Sequence, residues 1–125
     1  MEYEHGIFAI AAGGGAVSVL AIDALGSFAC RRFGIPYQRL MILSVVVYAL
    51  VGILGSRAGS AFAGAAAAAI VGLIDSTVGW RISWLIGPGR SPSGEISVAA
   101  VLGMVVFVTA LAGACGLVAG LVSTL

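Results

Sequence analysis

Two aspartates, Asp23 and Asp75, are the residues of this sequence whose chemistry would be unusual in their surroundings. Each lies in a long apolar stretch, six to eight residues before the next arginine. A carboxylate near the centre of a bilayer costs about 2.5 to 3.5 kcal/mol, and less toward the interface. The rise of an α-helix would place both carboxylates roughly 9 to 12 Å inside one membrane boundary. Both aspartates have small neighbours on their helix face, so we expect each to face another helix at a similar depth.

Partners for the aspartates would have to come from other helices or loops, since neither has an arginine three or four positions later. The arginines whose long side chains could reach between depths are Arg31, Arg32, Arg39 and Arg81. In a structural interpretation, each carboxylate pairs with such an arginine or accepts a hydrogen bond from Ser27, Ser76 or Thr77. In a functional interpretation, the two aspartates form a pair that binds a proton or a cation. In a third, they reach interfacial water, and the sequence leaves all three open.

Other residue types that carry chemistry are few. His5 is the only histidine, and Cys30 and Cys115 are predicted to lie at different depths, so the three do not form a metal site by spacing. The sequence also lacks a GxSxG motif, an HExxH motif and a Walker lysine. We therefore expect no enzymatic activity, no cofactor and no metal.

The composition indicates that lipid is the natural solvent of this chain. Of its 125 residues, 61% are hydrophobic and 9% are charged, and the mean hydropathy is +1.17. A soluble domain would carry about a quarter of its residues as charged types. The net charge of +1 and the absence of lysine indicate no nucleic-acid partner. The expected partner is the lipid bilayer.

Four apolar stretches, at residues 6–29, 36–54, 59–78 and 96–122, are long enough to cross a bilayer, which takes roughly 20 residues each. Backbone groups in hydrocarbon must be satisfied within the segment, and the stretches show no two-residue alternation, so each is predicted to be an α-helix. The predicted fold is an all-α bundle of four transmembrane helices forming a single domain, residues 1–125.

Orientation is predicted from the arginines, because cytoplasmic loops carry an excess of positive charge. Five of the six arginines would lie on one side, and only Arg57 on the other. Both termini are therefore predicted on the non-cytoplasmic side. We expect a multi-pass protein of a prokaryotic cell membrane.

The segment between the third and fourth stretches, WRISWLIGPGR, is predicted to be an interfacial elbow. Trp80 and Trp84 would lie in the headgroup layer, where amphipathic rings are enriched, and Arg90 would anchor the same side. Residues 80–86 could form two turns of interfacial helix that end at the Gly-Pro-Gly turn.

Small residues predict where the helices pack, because they let helix backbones approach closely in lipid. The third stretch carries Gly64, Ala68 and Gly72 at four-residue spacing, and the fourth carries Gly116 and Gly120. These faces would pack within the bundle, or one of them would form a subunit interface. We accordingly expect a homo-oligomer or a complex with other membrane subunits.

Two functions are compatible with these features. The first is a non-enzymatic accessory or scaffold module that packs through its small-residue faces. The alternative is a small oligomeric transporter or channel, linked to protons or cations, that uses Asp23 and Asp75.

Overall fold

The computed structural model describes residues 2–35, 39–86 and 98–123, and most of these residues are helical. The helices are α1 (Glu2–Phe33), α2 (Arg39–Ser56), α3 (Ala61–Ile74), a π-helical turn (Asp75–Gly79), α4 (Trp80–Ile86) and α5 (Val98–Ser123). The predicted all-α class is confirmed for this part of the chain. The predicted Gly-Pro-Gly turn and Arg90 lie outside the described residues.

Four helical stretches in the described part of the chain are long and apolar enough to cross a membrane. They are His5–Phe33, Arg39–Ser56, Ala61–Ile82 and Val98–Ser123. The third stretch combines α3, the π turn and part of α4, which follow one another without a break. Residues 80–86, expected as an interfacial segment, therefore continue the helical path of the third stretch.

The turn between α2 and α3 is set by a serine cap. Ser60 has an extended backbone (φ −160°, ψ 167°), and its hydroxyl accepts a hydrogen bond from the Ala63 N–H at 3.4 Å. Gly59 precedes it with a φ of 141°, a conformation that side chains rarely adopt. This short turn returns the chain so that α3 packs antiparallel to α2.

α3 lies at the centre of the bundle and packs against α1, α2 and α5. Its small residues Gly64, Ala68 and Gly72 are buried, as are Gly116 and Gly120 on α5. A Cβ added at Gly72 would lie 2.5 Å from the Ala112 Cβ, and one added at Gly116 would overlap the Ala68 Cβ. The small-residue faces of α3 and α5 thus contact each other inside one chain.

The outer surface carries the bulky apolar side chains, which is the reverse of a water-soluble bundle. Phe62, Leu25 and Phe107 are 76%, 73% and 60% exposed, whereas the centre is built largely from alanine, glycine and valine. Water-soluble monomers rarely expose contiguous apolar surface on this scale. The fold therefore keeps its close backbone packing inside and its large apolar side chains outside.

Candidate functional site

Asp23 is buried on the face of α1 that packs against the rest of the bundle. Five of its buried residues recur at four-residue spacing, which is one face of an α-helix; they are Ala11, Gly15, Val19, Asp23 and Ser27. Asp23 is only 4% exposed. The helix therefore places one carboxyl group in a row that otherwise consists of small or apolar residues and a serine.

Asp75 lies at the junction where α3 changes from α-helical to π-helical geometry. The π turn runs from Asp75 to Gly79, and the Trp80 N–H returns to the Asp75 carbonyl. The Thr77 hydroxyl donates to the Leu73 carbonyl at 2.7 Å, which supports the widened turn. Single π turns inside helices occur often at functional sites, because the extra residue changes which side chains face inward.

The carboxyl groups of Asp23 and Asp75 meet within hydrogen-bonding reach of each other. Gly79 makes this approach possible, since a Cβ at that position would lie 2.9 Å from Oδ1 of Asp75 and overlap Oδ2 of Asp23. Two carboxyl groups can hydrogen-bond only when at least one of them carries a proton. The geometry therefore allows the two acids to share a proton.

Tyr48 of α2 is the third polar member of the site. Its hydroxyl donates a hydrogen bond to Oδ2 of Asp75, and its side chain is 1% exposed. Sequence reasoning missed this residue. The available signal was its position in the middle of an apolar helix, because a tyrosine away from the interface needs a buried partner for its hydroxyl.

One oxygen of the pair has no donor. Oδ2 of Asp23 is buried and has no hydrogen-bond partner among the described residues. The side chains of Arg31, Arg32 and Arg39 are exposed, and the ionisable group beside Asp23 is the carboxyl group of Asp75. An unpartnered oxygen on a buried acid in a low-dielectric setting is costly unless a proton or a ligand satisfies it.

The acid pair opens into a cavity of about 290 Å³ between the helices. Its polar lining comes from the two aspartates, Tyr48, Ser44 and Ser76. The rest of its wall is apolar or aromatic and consists of Leu40, Met41, Trp80, Met104, Val108 and Leu111. All four predicted spans contribute a side chain, so the site exists only in the assembled bundle.

The other residues singled out from the sequence lie around this centre. The side chains of Arg31, Arg32, Arg39 and Arg81 are exposed. Trp80 and Trp84 pack together, with ring centroids 5.5 Å apart and planes at 54°. Of the two tryptophans, Trp80 also lines the cavity. The arrangement brings the aspartates together with Tyr48 and Trp80, and it leaves the four arginines at the surface.

The chemistry available here is that of an acid pair and a phenol, which can bind and exchange protons or bind a cation. Within the described residues, no group of three or more His, Cys, Asp or Glu side chains is placed to hold a metal ion. Comparison of the chain with protein-family models, with curated proteins and with solved structures finds no match. The case for a function therefore depends on the geometry of the site itself.

Proposed function

We propose that the chain is a non-enzymatic multi-pass membrane protein that moves a monovalent cation across the bilayer in exchange for a proton. Asp23 and Asp75 form its exchange site. The observation that carries the proposal is Oδ2 of Asp23, which is buried without a donor beside a second carboxyl group. Acidic residues inside membrane helices are rare, and many of them mark ion and proton pathways.

A purely structural pair would have its acidic oxygens satisfied by the protein. Buried carboxylates that stabilise a fold are paired with cations or fully hydrogen-bonded. The reason is that an uncompensated buried charge is costly, since removal of one partner of a buried ion pair lowers the free energy of unfolding by about 3 to 5 kcal/mol. Here one oxygen of Asp75 accepts from Tyr48, whereas Oδ2 of Asp23 accepts from nothing in the described chain. This difference between the two carboxyl groups supports a site at which a bound proton or cation is exchanged.

The proton balance of the proposed exchange is simple. With two protons the pair is neutral, and a monovalent cation that enters replaces one proton, which leaves toward water. The site is neutral before and after, so no uncompensated charge has to cross the apolar interior. Tyr48 holds Asp75 in place through its hydrogen bond in both states.

Proteoliposomes loaded with a pH-sensitive dye at acidic internal pH test this proposal. Addition of sodium, potassium or phenyltrimethylammonium outside should raise the internal pH for at least one of the three cations. Asp23→Asn and Asp75→Asn should abolish the response, and Ser18→Ala, an exposed hydroxyl on α1, should leave it unchanged. The transport proposal fails if no cation drives proton efflux in the parent protein, or if both asparagine variants keep the parental rate.

We further propose that both termini face the non-cytoplasmic side of a prokaryotic cell membrane. The orientation is supported by four arginines at the helix ends that would face the other side of the membrane from the two termini: Arg31, Arg32, Arg39 and Arg81. Cys30 is buried, so it would be a poor target for an impermeant thiol reagent. Single cysteines at exposed sites in a serine background test the orientation better. In intact cells, His5→Cys and Arg57→Cys should be labelled from outside, and Phe33→Cys should not.

A second function, as an accessory or scaffold module, is supported by the open surface of α1. A Cβ at Gly13 or at Gly14 would meet nothing within 4 Å, so this surface is free to approach a second copy or another membrane subunit. The homo-oligomer expectation is tested by the mass of the purified protein in detergent, with Gly14→Leu as the disrupting variant. A stable oligomer with no cation-driven proton movement would favour this second function.

A further inference from the structure

We infer that the cation exchanged at the Asp23–Asp75 pair is a small organic monocation with an apolar shell, such as a quaternary ammonium compound. This inference rests on the proposed exchange function and names its substrate class. It is carried by the cavity next to the pair together with the unpartnered oxygen of Asp23, which is 4% exposed and belongs to the cavity lining.

The walls of the cavity match an apolar ligand. Six apolar or aromatic side chains surround one acidic corner: Leu40, Met41, Trp80, Met104, Val108 and Leu111. Binding pockets for drug-sized molecules measure roughly 300 to 1,000 Å³, so a cavity of about 290 Å³ suits a small organic molecule. Two methionines in the wall would let it adapt to ligands of different shapes.

An inorganic cation fits this site less well, because it must exchange its water shell for a set of oxygen ligands. Hard cations take about six oxygens at short range. The polar oxygens of the described lining come from five residues, and Oδ2 of Asp75 already accepts from the Tyr48 hydroxyl. Beyond these oxygens, the lining is mostly apolar side chains, which cannot replace water around sodium or potassium.

A quaternary ammonium ion needs neither a set of oxygen ligands nor the exchange of a tightly held water shell, because its charge is covered by alkyl groups and it is weakly hydrated. The acid pair would supply the neutralising charge, and the Trp80 ring the aromatic surface on which such cations bind. Among the described residues, the titratable group that contacts the pair from another helix is Tyr48 of α2. Binding of one cation to the doubly protonated pair would release one proton.

Phenyltrimethylammonium and its neutral analogue of the same shape, tert-butylbenzene, are the probes that test this inference. Calorimetric titration of the purified protein in detergent, in two buffers of different ionisation enthalpy, gives both the affinity and the number of protons released. We expect saturable binding of the cation with release of close to one proton. The neutral analogue should compete at least about tenfold more weakly, and sodium and potassium should not compete at equal concentration.

Two variants locate the bound cation. The double variant Asp23→Asn with Asp75→Asn should abolish the release of the proton, and Trp80→Phe should weaken binding by about threefold to tenfold through loss of the better aromatic surface. Trp84→Phe is the matched control, because it changes the same residue type outside the cavity lining. Circular dichroism and elution volume establish that each variant is folded.

Several outcomes would overturn the inference, and the parent protein alone is sufficient to obtain them. They are tight binding of sodium or potassium at the pair, equal binding of the neutral analogue, or no binding of phenyltrimethylammonium by folded protein. If sodium or potassium still drives proton efflux from the proteoliposomes, the exchange function stands and only the substrate class is wrong. If no cation drives efflux but the organic cation binds, the exchange function fails and the binding site stands.

Discussion

The hydroxyl of Tyr48 donates a hydrogen bond to Oδ2 of Asp75, a residue 27 positions later in the chain and on a different helix. This bond joins α2 to the start of the π turn and directs the other oxygen of Asp75 toward Gly79, where the Asp23 carboxyl group also lies. The position of the acid pair therefore depends on a phenol that approaches it from the opposite side.

Replacement of Tyr48 by phenylalanine tests this dependence. The change removes one buried hydrogen bond and leaves an oxygen of Asp75 without a donor, so the free energy of unfolding should fall by about 0.5 to 2 kcal/mol. Unfolding in mixed micelles with increasing dodecyl sulfate measures the change. Ser18→Ala is the control, because the exposed Ser18 hydroxyl bonds only to the Gly14 carbonyl of its own helix and its loss should cost below about 0.5 kcal/mol.

The contact between Asp23 and Asp75 predicts that their substitutions are not additive. In a double-mutant cycle with Asp23→Leu and Asp75→Leu, the interaction energy should be about 0.5 to 3 kcal/mol, as for residues in contact. Single asparagine variants should stay folded, since an amide can donate to the remaining carboxylate. Additive effects in the same unfolding assay would show that the two carboxyl groups act independently.

Gly79 is expected to tolerate no side chain. A Cβ there would overlap Oδ2 of Asp23 and press on Asp75, so Gly79→Ala should lower the free energy of unfolding by about 1 to 3 kcal/mol. It should also reduce cation-driven proton efflux, because it separates the two carboxyl groups. Gly103→Ala is the matched control, with nothing within 4 Å of the added Cβ. Equal behaviour of the two alanine variants would contradict the geometry of the pair.

A second glycine, Gly52, is also expected to tolerate no side chain, because two helix backbones approach each other closely there. A Cβ at Gly52 would overlap the Gly116 backbone, which cannot move as a flexible side chain can. Gly52→Ala should therefore destabilise the bundle by about 3 kcal/mol. Gly103→Ala, at an open position of α5, should be neutral or slightly stabilising in the same measurement.

Much of the helical architecture could be predicted without the structure, whereas much of the site could not. Hydropathy sums over about 20 residues and is insensitive to which way each side chain points. It indicated four apolar helical stretches, and the described part of the chain contains four of the required length and composition. Contacts between helices depend on the direction in which each side chain points, and these helices carry apolar side chains on every face. The pattern that marks the inner face of a soluble helix is therefore weak here.

The acid site illustrates the same limit. Depth along a helix axis follows from counting residues, so a similar depth for Asp23 and Asp75 could be predicted. The π turn could not be predicted by such counting, which assumes a regular helix. Its extra residue rotates the side chains that follow by roughly 100° relative to a regular helix. Gly79 was missed for a related reason, since it does not differ in type from the other glycines of these helices.

The sequence by itself determined that this chain forms apolar helices, that few of its residues could carry chemistry, and that two acids lie within those helices. These are properties of composition and of position along the chain. Only the tertiary structure decided that the acids share one cavity, that a tyrosine holds one of them, and that the four arginines lie at the surface. Those relationships join residues from separate helices, and they exist only where close glycine and alanine packing brings the helices together.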